Sequence, residues 1–214
     1  MESQDVIRVQ VDFSRSIPIS PYIYGANQPD WDHFPFRAPF VRQGGNRMTA
    51  YNWVSNASNA GNDYHNQNDS FLGESNEPGW TVTNFLKPAQ EHGAAALLTV
   101  PMAGYVSANK KGDGDVNQTP NYLAVRFKPS LARKGAAFSL HPSADEPKVY
   151  QDEFVNWVDH TKSSATPVWF SLDNEPGIWF STHSRIVPNK PSYDQFLARS
   201  IDFASAIKLS LIHI

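Results

Sequence analysis

An Asn-Glu-Pro-Gly tetrapeptide occurs twice in the chain, at residues 76–79 and at residues 174–177. A glutamate beside an asparagine can perform acid–base chemistry on a sugar. The carboxyl group can protonate a leaving glycosidic oxygen and then activate water, while the amide hydrogen-bonds the sugar 2-hydroxyl. The context of each copy decides whether its glutamate is a candidate for this chemistry.

The second copy follows an apolar, β-favouring run at residues 168–172. A glutamate directly after a buried parallel strand lies at the edge of the sheet where barrel active sites are built. Pro176 would end the strand at this point. We therefore predict that Glu175 is a catalytic acid/base, that Asn174 binds substrate, and that Trp179 is a platform on which a sugar ring stacks.

The first copy has no strand before it, because residues 71–75 lack β-favouring character. Pro78 is placed instead to begin a helix that runs from Trp80. We therefore interpret Glu77 as a carboxylate near a helix start and not as a catalytic group.

Buried strands alternate with helices along the chain, which is typical of parallel βαβ units. A first segment, residues 6–13, alternates apolar and polar side chains as a half-buried strand does. Four further strand candidates cover residues 22–25, 39–42, 94–101 and 168–172. Helix candidates cover residues 80–92, 149–160 and 192–208, the last with Ser192 as its N-cap.

Composition narrows the classes of function. The chain has 18 basic and 21 acidic residues and a net charge of −3, without a basic stripe, so nucleic acid is not expected as a partner. It has no apolar run that could span a bilayer, and its first residues do not resemble a signal peptide. The absence of cysteine excludes disulfides and thiolate catalysis. Six Trp, eight Tyr and 13 Phe would suit sugar binding, although aromatic residues are usually core.

Two longer stretches carry a family resemblance. Residues 40–53 (FVRQGGNRMTAYNW) and 56–64 (NASNAGNDY) resemble the signature of glycoside hydrolase family 44. Residues 103–106 (AGYV), 125–127 (VRF) and 171–176 (SLDNEP) are similar to that family too. The resemblance extends from about residue 6 to residue 208.

The resemblance implies an α/β fold, the N-terminal part of a (β/α)8 TIM barrel, preceded by one strand of a β-sandwich domain. Residues 1–20 would carry the sandwich strand and residues 21–208 the first half of the barrel. Residues 209–214 (LSLIHI) resemble the translation of a transposon end used in sequencing libraries, so we expect an adapter-derived tail there. The implied activity is that of a retaining endo-β-1,4-glucanase or xyloglucanase on plant-type β-glucans. The full-length protein would be an extracellular monomer.

The resemblance also implies roles for particular residues. Glu175 matches the family acid/base, Asn174 the asparagine before it, and Asn46 a substrate-side position, while Trp53 and Tyr64 match possible sugar platforms. The family nucleophile follows the seventh barrel strand, so the 214 residues alone are expected to be inactive. Four acidic residues in early loops are weaker candidates for the second carboxyl group: Asp30, Asp32, Asp63 and Glu74.

No cofactor is expected to be required, but the resemblance allows a structural calcium with Asp63 and Asp69 as oxygen ligands. Val54 stands where another carboxylate would be expected. Two other functions remain open. A non-catalytic carbohydrate-binding protein would use the same aromatic and amide side chains. A related barrel hydrolase, such as a xylanase or arabinofuranosidase, would share Asn174 and Glu175 but not the stretch around Asn46.

Overall fold

The computed structural model describes residues 7–34, 37–112, 114–163 and 165–212. The strands are β1 (Ala26–Asn27), β2 (Phe40–Gln43), β3 (Ala95–Val100), β4 (Tyr105–Ser107), β5 (Phe127–Leu131), β6 (Val149–Tyr150) and β7 (Val168–Leu172). The α-helices are α1 (Asn46–Thr49), α2 (Trp80–Glu91), α3 (Tyr122–Val125), α4 (Gln151–Thr161), α5 (Trp179–Thr182) and α6 (Tyr193–Ile212). Single 3-10 turns cover Gly61–Tyr64, Ser70–Leu72, Val116–Gln118 and Pro176–Ile178.

A four-stranded parallel sheet organises the fold, with the strand order β1-β2-β3-β7. Every neighbouring pair is parallel, β2 and β3 are the inner strands, and the longest register joins β3 to β7, from Ala96 opposite Val168 to Val100 opposite Leu172. Because all four strands run in the same direction, their carboxyl ends lie along one edge. The structure therefore confirms the α/β class and puts the segments after β2, β3 and β7 beside each other.

The helices cover the sheet through an apolar core. Helix α2 packs on β2 and β3, and α6 packs on α4 and β7. The predicted helices agree with α2, α4 and α6 within a few residues. The largest fully buried side chains include Trp53, Phe154 and Leu98. The Trp53 ring lies 5.7 Å from the rings of both Phe154 and Trp157, so aromatic packing helps to fix α4 to the core.

Two strand predictions at the start of the chain are wrong. Residues 7–13 form no strand, and their side chains are exposed, because the described part of the chain places no neighbouring strand beside them. Val6 lies outside the described residues, and the assignment of this segment to a β-sandwich stays a prediction. The strand predicted at residues 22–25 begins only at Ala26, which pairs with Val41. Tyr24, although apolar, is 72% exposed.

A second sheet was not predicted. Strand β5 pairs antiparallel with β4 and parallel with β6.

Helix α6 is longer than expected and includes residues 209–212, while residues 213 and 214 lie outside the described part of the chain. The adapter origin of residues 209–214 stays a prediction. Among the described residues, no helix is both long enough and apolar enough to cross a membrane.

Candidate active site

The backbone after β7 is held by a buried aspartate. The Asp173 carboxylate accepts hydrogen bonds from the Thr49 hydroxyl at 2.7 Å and from the main-chain N–H of Met102 at 2.6 Å. It also accepts from the N–H of Asn174 at 2.7 Å. Thr49 ends α1 after β2, and Met102 follows β3. One side chain therefore ties the carboxyl ends of three strands together.

Burial raises the pKa of Asp173 to about 6, although hydrogen bonds from Thr49, Met102 and Asn174 oppose this shift. Asp173 is only 4% exposed. Removing a carboxylate from water disfavours its charged form, and hydrogen bonds compensate only in part. Asp173 is consequently ionised at neutral pH and becomes protonated in mild acid.

Asn174 lies at the centre of a hydrogen-bond network. Its Oδ1 accepts from Arg42 Nη2 at 2.8 Å, and its Nδ2 donates to Asn46 Oδ1 at 3.0 Å. The same Nδ2 donates to Glu175 Oε2 at 3.2 Å. The structure thus brings together the predicted site residues Asn46, Asn174 and Glu175, which are up to 129 positions apart in the chain.

Asn46 is fixed on two sides. Its Nδ2 donates to Asp63 Oδ2 at 2.6 Å, and its main-chain oxygen accepts from His183 Nε2 at 3.0 Å. The loop that carries Asp63 approaches α5 closely at Gly61. A Cβ at Gly61 would clash with the Thr182 carbonyl oxygen, and the Gly61 φ of +65° also favours glycine.

His183 is a neutral donor at neutral pH. Burial lowers the pKa of His183 to about 4, even though the main-chain oxygens of Asn46 and Asn59 and the charge of Asp63 oppose this shift. The side chain is therefore suited to holding the Asn46 backbone in place, and its burial separates it from any sugar that approaches Glu175.

Glu175 itself is exposed at the carboxyl end of β7, next to the buried Asn174. Its φ of 44° and ψ of 54° are left-handed, which is uncommon for a residue other than glycine. This turn leads the chain into the 3-10 turn Pro176–Ile178 and leaves Glu175 exposed. Two large cavities, of about 690 and 540 Å³, are lined by other residues.

Two of the predicted sugar platforms are wrong. Trp53 and Trp179 are each 1% exposed, so neither face can stack on a ligand. Trp53 belongs to the core beside α4, and its Nε1 donates to the Tyr150 main-chain oxygen at 3.3 Å. Trp179 Nε1 donates to the main-chain oxygen of Asn174 at 2.9 Å, so this ring holds the main chain of the site in place. Tyr64 is 37% exposed, and its role as a platform stays a prediction.

The two carboxylates expected to bind calcium, Asp63 and Asp69, already contact protein groups. Asp69 is buried and paired with Arg47, whose Nε lies 3.1 Å from Asp69 Oδ2, and its other oxygen accepts from the Phe71 N–H. Asp63 accepts a hydrogen bond from Asn46. Among the residues that the structure describes, no three His, Asp or Glu side chains are grouped to hold a metal ion.

Glu77 lies apart from the network around Glu175. It is exposed, three residues before α2, and its main-chain N–H donates to the Ser75 hydroxyl at 3.2 Å. Pro78 precedes the helix and does not form its first turn, because Gly79 is the N-cap. This location agrees with a carboxylate near a helix start.

Three residues of the site were not predicted from the sequence. Arg42 ends the strand predicted at residues 39–42, and a cation at a strand end was a signal that could have been used. Asp173 directly precedes the predicted pair, but a carboxylate in a polar tripeptide gives no sign of being buried. His183 had no sequence signal, since only the fold brings it to the main chain of Asn46.

The comparisons with known proteins bear on the network of Asn46, Asn174 and Glu175. The family model described as Glycoside hydrolase family 44 matches residues 57–212. The chain belongs to glycoside hydrolase family 44. Endoglucanase A of Paenibacillus lautus, a protein similar to this chain, is 38% identical over 212 residues. Beta-mannanase/endoglucanase A of Caldicellulosiruptor saccharolyticus is 40% identical over 205 residues.

The fold agrees with solved structures of family 44. A xyloglucanase of Paenibacillus polymyxa superimposes with a TM-score of 0.81 at 36% identity, over 91% of this chain and 40% of that chain. An endoglucanase of Clostridium thermocellum gives the same TM-score, identity and coverage. This chain spans 29% of the Paenibacillus lautus protein and 15% of the Caldicellulosiruptor saccharolyticus protein, while 91% and 89% of it are matched.

Proposed function

We propose that the protein is a retaining endo-β-1,4-glucanase or xyloglucanase in which Glu175 is the general acid/base. The observation that carries the proposal is the exposed Glu175 carboxylate at the carboxyl end of β7, with the Asn174 amide hydrogen-bonded to it. Glu175 would protonate the departing glycosidic oxygen in the first step and remove a proton from water in the second.

The neighbouring amide would complete the acid/base site. When substrate binds, the Asn174 Nδ2 hydrogen that bonds to Glu175 would instead donate to the 2-hydroxyl of the reacting sugar, a contact that strengthens in an oxocarbenium-like transition state. Membership of family 44 supports this class of reaction. The names of the similar proteins, endoglucanase and xyloglucanase, support β-glucan as the substrate class. The open edge around Glu175 would admit an internal bond of a polysaccharide.

A retaining mechanism needs a second carboxyl group about 5–5.5 Å from the first. Asp173 is buried, and both of its oxygens accept hydrogen bonds from the protein, so it is not available to a sugar. Asp63 is linked to Glu175 only through two amide side chains. We propose that the nucleophile lies outside these 214 residues, as the family resemblance implies.

The broader properties of the protein are proposals too. We expect a monomer that acts outside the cell on β-glucan and needs no cofactor for the reaction. Neither nucleic acid nor membrane is expected as a partner, in agreement with the net charge of −3.

The substitution Glu175→Gln tests the acid/base assignment in the full-length protein. Glutamine keeps the size of the side chain but has no carboxyl proton to donate. We expect kcat on unactivated β-glucan to fall by about 10²–10⁴-fold, the usual contribution of a general acid. An aryl β-glucoside oligomer with a good leaving group should lose much less in the first step, because that bond breaks without protonation.

The equivalent substitution at the other tetrapeptide, Glu77→Gln, is the matched control and should leave both rates unchanged. The purified 214-residue chain, assayed in parallel, should give no hydrolysis if the nucleophile lies elsewhere. An unchanged rate in Glu175→Gln would assign the acid to another residue. If no full-length preparation hydrolyses any β-glucan, but the protein still binds one, a carbohydrate-binding function is supported instead.

A further inference from the structure

Asp63 lies in a loop that contributes no other side chain to the hydrogen bonds around Asn174. It belongs to the 3-10 turn Gly61–Tyr64 and is exposed. Its carboxylate reaches the site through one short bond, the 2.6 Å contact from Asn46 Nδ2. A bond of this length to a charged acceptor is among the stronger hydrogen bonds in proteins.

The hydrogen bonds of the network all run in one donor-to-acceptor direction, from Arg42 to Asp63. A guanidinium group can only donate, and a carboxylate can only accept. Asn174 must therefore present its oxygen to Arg42, and Asn46 must present its NH2 group to Asp63. The bond between them, from Asn174 Nδ2 to Asn46 Oδ1, agrees with both ends. Each of the two amides thus has one orientation that satisfies its neighbours.

This direction matters for Glu175. With Asn174 oriented in this way, its NH2 group has one hydrogen for Asn46 and one for Glu175. If Asn174 turned around, its oxygen would face the Glu175 carboxylate and its NH2 group would face Arg42. Both contacts would lose a hydrogen bond and gain repulsion. Hydrogen bonds in such a chain also polarise one another. The negative charge of Asp63 therefore strengthens the bond between Asn46 and Asn174 as well as its own bond to Asn46.

We propose that Asp63 is a positioning residue that acts through Asn46 to fix the orientation in which the Asn174 amide faces Glu175 and the substrate. The inference rests on the proposed role of Glu175. The effect of Asp63 is confined to side chains, because the Asn46 main-chain oxygen is held independently by His183 Nε2 at 3.0 Å. The exposed location of Asp63 also means that replacing it should not unfold the protein.

The test compares Asp63→Leu with Asp63→Asn in the full-length protein. The leucine removes the acceptor, and we expect kcat on unactivated β-glucan to fall about tenfold, as for loss of one hydrogen bond to a charged group, with KM within about twofold. The asparagine keeps an acceptor oxygen of the same geometry, so its kcat should stay within about threefold of the wild type. Asp145→Leu, another exposed loop carboxylate, is the control and should have no effect.

A double variant distinguishes action through Asn46 from a general structural effect. In an Asn46→Ala background, Asp63→Leu should cause no further loss, because the intermediate amide is already absent. Additive losses, equal losses in the leucine and asparagine variants, or a wild-type kcat in Asp63→Leu would each overturn the proposal. Thermal unfolding checks the fold, and Asp63→Ser replaces the leucine variant if that variant is unstable.

Glu175→Gln, measured beside these variants, separates the two proposals. If it retains the wild-type rate, the acid/base assignment fails whatever happens at Asp63. If it loses activity while Asp63→Leu does not, only the positioning role of Asp63 is overturned.

Discussion

Asn174 shows how a side chain of ordinary reactivity becomes specific through its partners. The shape of an amide does not distinguish its oxygen from its nitrogen. The hydrogen bonds to Arg42 on one side and to Asn46 on the other assign the two atoms. The sequence identified Asn174 and Glu175 as a pair. It did not identify Arg42, which is 132 positions from Asn174, as the group that orients the amide.

Asp173 makes the stability of the protein depend on pH in a defined direction. Its folded pKa of about 6 lies above the ordinary value of 3.8. The bound proton therefore stabilises the folded state below about pH 4, and this contribution is lost as the pH rises through about 6. Because each pH unit between the folded and the ordinary pKa is equivalent to about 1.4 kcal/mol, the whole contribution is about 3 kcal/mol.

We expect the stability difference between the wild type and Asp173→Asn to reflect this loss. The asparagine does not titrate, so the advantage of the wild type should shrink by about 2.4 kcal/mol between pH 4 and pH 7, which is most of the whole contribution. Urea unfolding of both full-length proteins at several pH values measures it. An advantage that grows with pH would mean that Asp173 is already ionised at pH 4. His183 is present in both proteins, so its own titration cancels in the difference.

At the level of elements, the sequence predicted long periodic segments well and short ones poorly. The helices α2, α4 and α6 and the strand β7 have patterns that extend over five residues or more. The second sheet has strands of two to five residues, and β5 contains Pro129 in its middle, so alternation could not reveal it. The two tryptophans were wrongly interpreted for a similar reason, since burial depends on neighbours that a local pattern does not contain.

The start of α6 is stabilised by a reciprocal pair of hydrogen bonds, as the predicted N-cap suggested. The Ser192 hydroxyl accepts from the N–H of Gln195 at 3.2 Å, and the Gln195 side chain accepts from the N–H of Ser192 at 2.9 Å. This arrangement is a capping box.

We expect Ser192→Ala to lower the free energy of unfolding by about 1 kcal/mol, because the first turn of α6 loses its cap. Ser205→Ala is a matched control within the same helix, since the Ser205 hydroxyl bonds only to the carbonyl oxygen of Ile201. That substitution should be neutral or slightly stabilising. Chemical unfolding of the two variants measures the difference, and equal losses would contradict a capping role.

At the scale of the whole molecule, the parallel sheet explains why distant residues meet. Residues after β2, β3 and β7 converge because all three strands end at the same edge. The predicted βαβ pattern agrees with that convergence, whereas the assignment of Asn46 to the substrate side came from the family resemblance. The expected calcium stays a prediction, and the fold pairs its two expected ligands with protein groups, Asp69 with Arg47 and Asp63 with Asn46.

The most direct test of the proposed mechanism replaces Glu175 with alanine in the full-length protein and adds azide. On an aryl β-glucoside oligomer with a good leaving group, the first step needs no acid, but the second lacks its base. Azide is a small anion that attacks without a base, so it should restore turnover in a concentration-dependent way. The account predicts a glycosyl azide of the β configuration. A rate unaffected by azide, or an α-configured product, would contradict it.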